Sequence, residues 1–368
     1  MSKLAIYRKY RPTSFEELVG QETIVRILKE EAKNDKLSHA YILAGPRGTG
    51  KTTTARIIAK IANCQKRLND LKFRKNGEPC NSCESCKAID DGKDFDVIEI
   101  DAASNRGIDE IRNLKENIRV APTKGKFRVF IIDEAHMLTK EAFNALLKTL
   151  EEPPVNVIII LATTEIEKIP LTIRSRAQQF YFQRVSLNQI IDKLQKIIKA
   201  EGIKIDKEAL ELIASSAEGS FRDAESLLDQ LCSFKGKEIK LIDVEQILGK
   251  IGFDKLSELV GYLLEKNLSA VLEKISEINN DGYNLSQFTK DLIQYLRRIA
   301  VLKFNPQMEN LFKKELSHDH LTIMKKHANL FEENHLRLLK NLIEAYSQMR
   351  YSQFPIIPLE ISIIESLK

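Results

Sequence analysis

The sequence predicts an α/β fold, a parallel sheet with helices on both faces, followed by two blocks of helix. Three observations predict it. Between residues 40 and 182 short apolar runs alternate with helical patterns, as they do when parallel strands are joined by helical crossovers. The first run, Ala40-Tyr41-Ile42-Leu43-Ala44, feeds a glycine-rich turn that opens a helix. Beyond residue 183 apolar residues recur at i, i+3 and i+4, with no strand-like alternation.

Residues 1–39 form a basic lead-in in which Tyr7-Arg8-Lys9-Tyr10-Arg11-Pro12 mixes rings and cations. A helical pattern follows through Ile24, Ile27 and Leu28. Taken alone, such a charge-rich stretch reads as a solvated leader. After the first strand, Gly45-Pro46-Arg47-Gly48-Thr49-Gly50-Lys51-Thr52 matches G-x-x-x-x-G-K-[ST], the phosphate-binding loop. The helix behind it carries Ile57, Ile58 and Ile61 on one face. Strand, glycine turn and helix are the context this chemistry needs. Glycines let backbone N–H groups crowd a phosphate without a Cβ in the way, and the helix N-terminus adds its own donors and dipole. In that geometry Lys51 reaches the β- and γ-phosphates of a nucleotide and the Thr52 hydroxyl ligates Mg²⁺.

Cys80-x2-Cys83-x2-Cys86 places three thiols at close spacing, with Cys64 upstream where the helix after the loop ends. Four thiolates suit a closed tetrahedral zinc site. A lobe at about 64–90 is thus inserted before the second strand, with a long basic loop at 65–79. A redox cluster or an iron–sulfur site is the alternative for the same ligands. Cys232, in an apolar helical pattern, reads as a buried thiol. The six histidines show no ligand spacing, and His318 and His320 read as surface residues.

Later strands are expected at 96–101, 127–133, 155–162 and 178–182. The third of the five ends in Asp133-Glu134. A parallel sheet binds ligands at the carboxyl ends of its strands, so both acids face the same nucleotide. Asp133 suits holding Mg²⁺ and Glu134 suits orienting the attacking water; helix capping is the bland alternative. Thr163-Thr164 ends the next strand, where a hydroxyl can touch the γ-phosphate. Arg176, in Ile173-Arg174-Ser175-Arg176, and Arg222, in Gly219-Ser220-Phe221-Arg222-Asp223, are candidates for stabilising charge on a transferring phosphoryl group, in cis or from a neighbouring subunit.

From 183 to 245 only helices are expected, at 188–201, Lys207–Ser216 and from near Gly219 through Leu227, Leu228 and Leu231. Residues 246–368 are again helical, with Leu256, Leu259, Val260, Leu263 and Leu264 on one stripe and breaks at Gly282, Asn305-Pro306 and near Ser317. This block reads equally as a self-contained bundle or as an oligomerisation surface.

The net charge of +5 permits nucleic-acid contact without demanding it. No apolar run approaches the length of a membrane span, and residues 1–8 lack a signal peptide's apolar core. The expected compartment is the cytoplasm, where thiols stay reduced.

Together these stretches resemble an AAA+ ATPase, and more narrowly the gamma/tau family of bacterial DNA polymerase III clamp-loader subunits. The resemblance rests on Tyr10-Arg11-Pro12…Phe15, Val19-Gly20-Gln21-Glu22, His39-Ala40-Tyr41, the 45–52 loop, Asp133 to Leu138, Asn144 to Pro154, Ser175-Arg176, Gly219 to Ala224 and Pro355 to Glu360. It is dense in 1–230 and thin in 246–350. It implies an AAA+ P-loop NTPase domain at 1–182 with an inserted zinc lobe, a helical lid at 183–245 and an all-α collar at 246–368. It implies ATP, Mg²⁺ and Zn²⁺ as cofactors. Tyr7, Arg8, Arg11, Pro12 and Val19 are implied near adenine and ribose. Thr164 becomes the first sensor of the γ-phosphate, Arg222 the second sensor, and Arg176 an arginine finger for the next subunit. Where the family reads Ser-Arg-Cys, Ala177 stands here, which puts the packing behind the finger in question. Arg106, Arg112 and Lys148 fall on segments like the family's DNA-facing helices, and backbone charge dominates such a contact.

The implied function is an ATP-driven motor that opens a ring-shaped sliding clamp and places it on primer–template DNA. The implied partners are delta and delta-prime subunits and further copies of the chain. No polymerase active site is visible, so a polymerase label reflects membership of the holoenzyme. Longer members carry a tail that binds helicase and polymerase; those contacts are not expected of these residues. A non-enzymatic scaffold and a branch-migration helicase are the other readings. Intact Lys51, Thr52, Asp133 and Glu134 speak against the first, and the cysteine lobe and the 144–154 run against the second.

Overall fold

The computed structural model describes residues 4–104, 118, 120–249, 251–313, 316 and 318–368. Arg106 and Arg112 lie outside the described residues. The chain divides into two compact units, 1–185 with 219–223, and 186–218 with 224–368.

The first unit holds β1 (Ala40–Ala44), β2 (Val97–Asp101), β3 (Arg128–Asp133), β4 (Val157–Thr163) and β5 (Gln178–Tyr181) in the order β2-β3-β4-β1-β5. All four pairings are parallel, with Ala44 opposite Thr163 and Asp101 opposite Asp133. Because side chains alternate along a strand, the sheet sorts its residues onto two faces. Tyr41, Leu43, Val129, Ile131, Ile158 and Ile160 pack with Ile57, Ile58 and Ile61 of the Lys51–Asn63 helix. Ile42, Phe130, Ile132, Ile159 and Leu161 pack with Phe143, Leu146 and Leu150 of the Lys140–Glu151 helix. That helix is started by the Thr139 hydroxyl, which accepts the Ala142 N–H at 3.2 Å, a cap of about 1 kcal/mol.

The lead-in is not a solvated leader. Phe15, Leu18, Ile24 and Leu28 are buried in the first of these cores, though Ile27 faces outward. Ala177 packs against the second core, so alanine fills the position behind Arg176.

A buried carboxylate fixes where β2 begins. Asp96 accepts the backbone N–H groups of Thr123, Lys124 and Gly125 at 2.6, 2.8 and 2.7 Å. Burial alone pushes a carboxyl pKa up, but these three donors outweigh it and hold Asp96 below its usual range. Asp96→Asn turns an acceptor into a donor facing N–H groups, and the expected loss is about 2 kcal/mol at neutral pH. Since the folded-state pKa is depressed, this stabilisation is fully present above the unfolded value, about 4. It is lost as pH falls through the folded value. Melting curves of the two proteins should therefore converge in acid; a constant gap would contradict the assignment.

In the second unit Leu187–Glu201 begins with a capping box. Ser186 Oγ accepts the Gln189 N–H and Gln189 Oε1 accepts the Ser186 N–H at 3.0 Å. Lys207–Ser216, the rest of Phe221–Lys235 and Leu241–Leu248 follow. The all-helix expectation fails in one detail. Lys204–Ile205 and Glu238–Ile239 pair as a short parallel ladder that ties two interhelical turns together. Two residues carry no period, so the pattern could not reveal it. From residue 251 onward the described residues of the unit are mainly helical, with a core built on Phe288, Leu292, Leu296 and Ile299 of the Leu285–Phe304 helix. His318 is exposed, while His320 is half-buried: it stacks on Phe253 at 3.7 Å and lies 3.3 Å from Glu211. Cys232 is half-buried rather than buried. Among the described residues no helix is long and apolar enough to cross a membrane.

Candidate nucleotide and metal sites

Three neighbouring strands, β3, β4 and β1, deliver their last residues to one edge of the sheet, and the sequence-predicted chemistry converges there. The loop leaves β1, and the Gly45 N–H donates to the Thr163 carbonyl of β4 at 3.1 Å. Gly45, at φ 148°, lies so close to the chain after β5 that a Cβ would sit 2.5 Å from the Phe182 carbonyl oxygen. Gly48, at φ 73°, leaves no room for a Cβ beside the Ser220 hydroxyl. Its carbonyl accepts the Phe221 N–H at 3.2 Å, which joins 219–223 to the loop. The Thr49 hydroxyl closes the turn on the Pro46 carbonyl at 2.8 Å, while Arg47 is exposed.

Lys51 opens the Lys51–Asn63 helix with its ammonium inside the loop, 2.8 Å from each of the Gly45 and Pro46 carbonyls. Burial lowers its pKa, and Glu134 and Asp133 partly offset that. The Thr52 hydroxyl donates to Asp133 Oδ2 at 2.8 Å, so the two candidate Mg²⁺ ligands already touch. Hard oxygens of this kind suit Mg²⁺.

Glu134 sits in the left-handed region at φ 47° and ψ 43°. For a non-glycine residue this costs about 1 kcal/mol. It turns the carboxylate across to β4, where the Thr164 hydroxyl donates to Oε2 at 3.3 Å. Thr163 is fully buried, and its hydroxyl meets His136 Nδ1 at 3.2 Å and accepts the Glu165 N–H at 3.0 Å. Of the two threonines, Thr164 is therefore the one beside the acid. Sequence reasoning gave His136 no role. Its buried ring lies 3.5 Å from Glu134 Oε2 and 3.3 Å from Glu165 Oε1. The signal available was its place two residues after Glu134.

The lead-in brings cations to the same region. The Arg222 guanidinium lies 5.3 Å from the Tyr7 ring centroid, Arg8 lies 5.8 Å from it, and Arg8 Nε donates to the Tyr7 hydroxyl at 3.3 Å. That hydrogen bond leads in lowering the Tyr7 pKa. Half-buried Arg11 holds its proton less tightly than usual, first through burial and then through Arg56, Arg222 and Arg8. Glu99, paired with Arg56 at 2.7 Å, opposes these cations, and the excess positive charge that remains attracts polyanions. Pro12 and Val19 are half-buried on the same segment.

Arg176 is apart from these groups and follows the short Leu171–Arg174 helix. Its guanidinium donates to the Thr172 carbonyl at 2.8 Å and pairs with Glu151 at 2.9 Å, with about a third of the side chain exposed (36%). Lys148 is exposed on the Lys140–Glu151 helix.

Cys64, Cys80, Cys83 and Cys86 form the one metal-ligand cluster found among the described residues, with all four sulfurs within 4.8 Å of one another. A tetrahedral zinc with bonds of about 2.3 Å sets sulfurs about 3.8 Å apart. Cys80 and Cys86 already stand at 4.0 Å, so the set fits the ion with a small contraction. Backbone N–H groups support the thiolates, from Cys80 to Cys64 Sγ at 3.4 Å and from Cys83 to Cys80 Sγ at 3.3 Å. Cys64 is held well below its usual pKa, chiefly by the hydrogen bond from Cys86, whose own thiol is pushed up. Four thiolates leave no open coordination position, which marks a structural site. The basic 65–79 loop runs as two short helices, Gln65–Asn69 and Leu71–Arg74.

Comparison with known proteins gives the family. Residues 20–186 match the family described as DNA polymerase III, delta subunit. Residues 189–236 match the ATPase lid domain of the DNA polymerase III clamp loader subunit. Residues 239–367 match domain III of DNA polymerase III subunits gamma and tau. The chain is 42% identical to the tau subunit of Bacillus subtilis over 99% of its length and 43% identical to the gamma/tau subunit of Mycoplasma pneumoniae over 82%. It spans 63% and 45% of those two proteins. It is 41% identical to the gamma subunit of Buchnera aphidicola, with 84% of each chain covered. With that coverage of a gamma subunit on both sides, and residues 239–367 matching domain III of gamma and tau, this chain belongs to the gamma/tau family of bacterial DNA polymerase III subunits.

Proposed function

We propose that this chain is an ATP-hydrolysing motor subunit of a replicative clamp loader, which loads a sliding clamp onto primed DNA as part of the polymerase III holoenzyme in the cytoplasm. The observation that carries the reading is the meeting of Lys51, Thr52, Asp133, Glu134 and Thr164 at one sheet edge in a member of this family. Residues 1–182 are the ATPase domain, 183–245 the lid and 246–368 the collar.

The 45–52 loop wraps the polyphosphate of ATP with its N–H groups. Lys51 exchanges the Gly45 and Pro46 carbonyls for phosphate oxygens. Thr52 and Asp133 hold Mg²⁺, which neutralises phosphate charge. Glu134 orients the attacking water, and Thr164 reads the γ-phosphate by its link to that acid. Tyr7, Arg8, Arg11, Pro12 and Val19 frame base and ribose, and Arg222 senses the phosphates as its neighbour. Arg176 completes the ATP site of the adjacent subunit. The four cysteines hold structural Zn²⁺. Lys148, with Arg106 and Arg112, meets the DNA backbone. The partners are delta and delta-prime subunits, further copies of this chain and the clamp.

The test is ATP turnover by the purified chain, alone and assembled with its delta-type partners. Turnover should be low alone and rise when clamp and primed DNA are both added to the assembly. Branch migration or strand separation by the chain alone would replace this reading with a helicase.

A further inference from the structure

The cysteine lobe is wired to the phosphate loop, and the wire runs through Glu78. This residue lies two positions before Cys80 and is buried, with 9% of its surface exposed. Its carboxylate accepts the backbone N–H groups of Phe15 at 2.8 Å and Glu16 at 3.1 Å, and pairs with Lys29 at 2.8 Å. A structural zinc lobe needs none of these contacts for its own closure. They reach 62 and 63 residues back along the chain, to the turn Phe15–Glu17. The turn ends at Leu18, which is buried and whose Cδ2 lies 3.5 Å from where a Cβ on Gly50 would stand. Leu18 therefore backs the phosphate loop at the residue before Lys51.

Two further contacts hold the lobe to the same segment. Arg67, three residues after Cys64, is 2% exposed and donates to the Ala32 carbonyl at 2.7 Å and the Glu78 carbonyl at 3.3 Å. Asn81, one residue after Cys80, reaches the Thr13 hydroxyl at 3.4 Å. A buried charged group is costly to leave unpaired, so these contacts persist while the backbone that carries Arg67 and Glu78 keeps its place. Cys64 and Cys80 fix it from both ends when they share a metal.

We infer that Glu78 is a positioning residue that couples metal at the four cysteines to nucleotide at the phosphate loop. Metal fixes Cys80, Cys80 fixes the Glu78 carboxylate, and Glu78 holds the 15–17 turn so that Leu18 backs Gly50. The inference rests on the reading of the 45–52 loop as a nucleotide site. Coupling between two sites is reciprocal. Nucleotide must then tighten metal binding by the same factor.

The experiment uses the full chain and a fluorescent ADP with Mg²⁺. Nucleotide affinity is titrated on zinc-loaded and chelator-stripped wild type and on Glu78→Gln in both states. Glutamine keeps one acceptor but turns an N–H donor toward the turn. The expected result is about 5- to 20-fold weaker binding for stripped wild type, within the usual range of coupling, and no difference between the two states of Glu78→Gln. A second readout needs no variant: in equilibrium competition with a chromophoric chelator, zinc affinity should rise by the same factor, about 5- to 20-fold, when ADP is saturating. Equal affinities for loaded and stripped wild type would overturn the coupling. If stripping or the substitution unfolds the chain, the zinc competition on loaded wild type decides, and equal zinc affinities with and without ADP overturn it. Absence of nucleotide binding by zinc-loaded wild type would instead count against the phosphate-loop reading itself.

Discussion

Lys51→Ala should weaken binding of Mg²⁺–ATP by two to four orders of magnitude while leaving the fold intact. The ammonium sits inside the loop, 2.8 Å from the Gly45 and Pro46 carbonyls. Those bonds show that the side chain reaches the loop's centre, where a phosphate would replace the carbonyls as acceptor. Charge-assisted bonds to an anion contribute about 1.5–3 kcal/mol each. Losing two of them corresponds to a factor of roughly 10² to 10⁴ in affinity. The fold should survive because alanine is a good first residue for the Lys51–Asn63 helix. Ile57, Ile58 and Ile61, which anchor that helix, are untouched. Equilibrium titration with a fluorescent ATP analogue, beside a melting curve, checks both halves. An affinity within threefold of wild type would remove the phosphate loop from the mechanism.

Arg176→Ala should leave nucleotide affinity near wild type and lower clamp- and DNA-stimulated hydrolysis by about 10³-fold or more, the usual contribution of an arginine finger. Arg176 is not beside its own chain's Lys51, Asp133 or Glu134; its partners are Thr172, Ser175 and Glu151. Its ion pair with Glu151 is partly exposed, and such pairs contribute about 0–1 kcal/mol. Drawing the guanidinium out to a neighbour's phosphate therefore costs little. Mixing experiments separate the site that Arg176 serves from its own. In an assembly where one copy carries Arg176→Ala and another Lys51→Ala, the copy that binds nucleotide but faces the defective arginine should be the one that stalls. Unchanged stimulated turnover in the fully substituted assembly would rule out a role across the interface.

Much of this protein is legible in the order of its residues. A phosphate loop is a local device: its glycines, lysine and threonine lie within eight residues, between a strand and a helix whose periods are visible in the chain. The same holds for Cys80, Cys83 and Cys86, whose spacing alone brings three sulfurs together. The five strands are visible because an apolar run followed by an amphipathic helix has one economical arrangement, a covered parallel sheet. Expectation and fold part company where periodicity carries no information. The Lys204–Ile205 and Glu238–Ile239 ladder is too short to have a pattern, and the environment of His320 depends on which helix lies opposite it. Basic content makes the lead-in look solvated, yet Phe15, Leu18, Ile24 and Leu28 are buried.

What the sequence determined by itself was the set of groups proposed for the chemistry, because their identity and spacing are one-dimensional. Tertiary structure alone decided which of them touch. Thr52 meets Asp133 across 81 residues because β4 alone separates β1 from β3 and all three end at one edge, and Thr164 meets Glu134 across 30 because β3 and β4 are adjacent and parallel. Glu78 meets Phe15 only because the cysteine lobe folds back onto the lead-in. The physical reason is that these contacts are set by strand order and by burial, and neither is written in the spacing of residues along the chain.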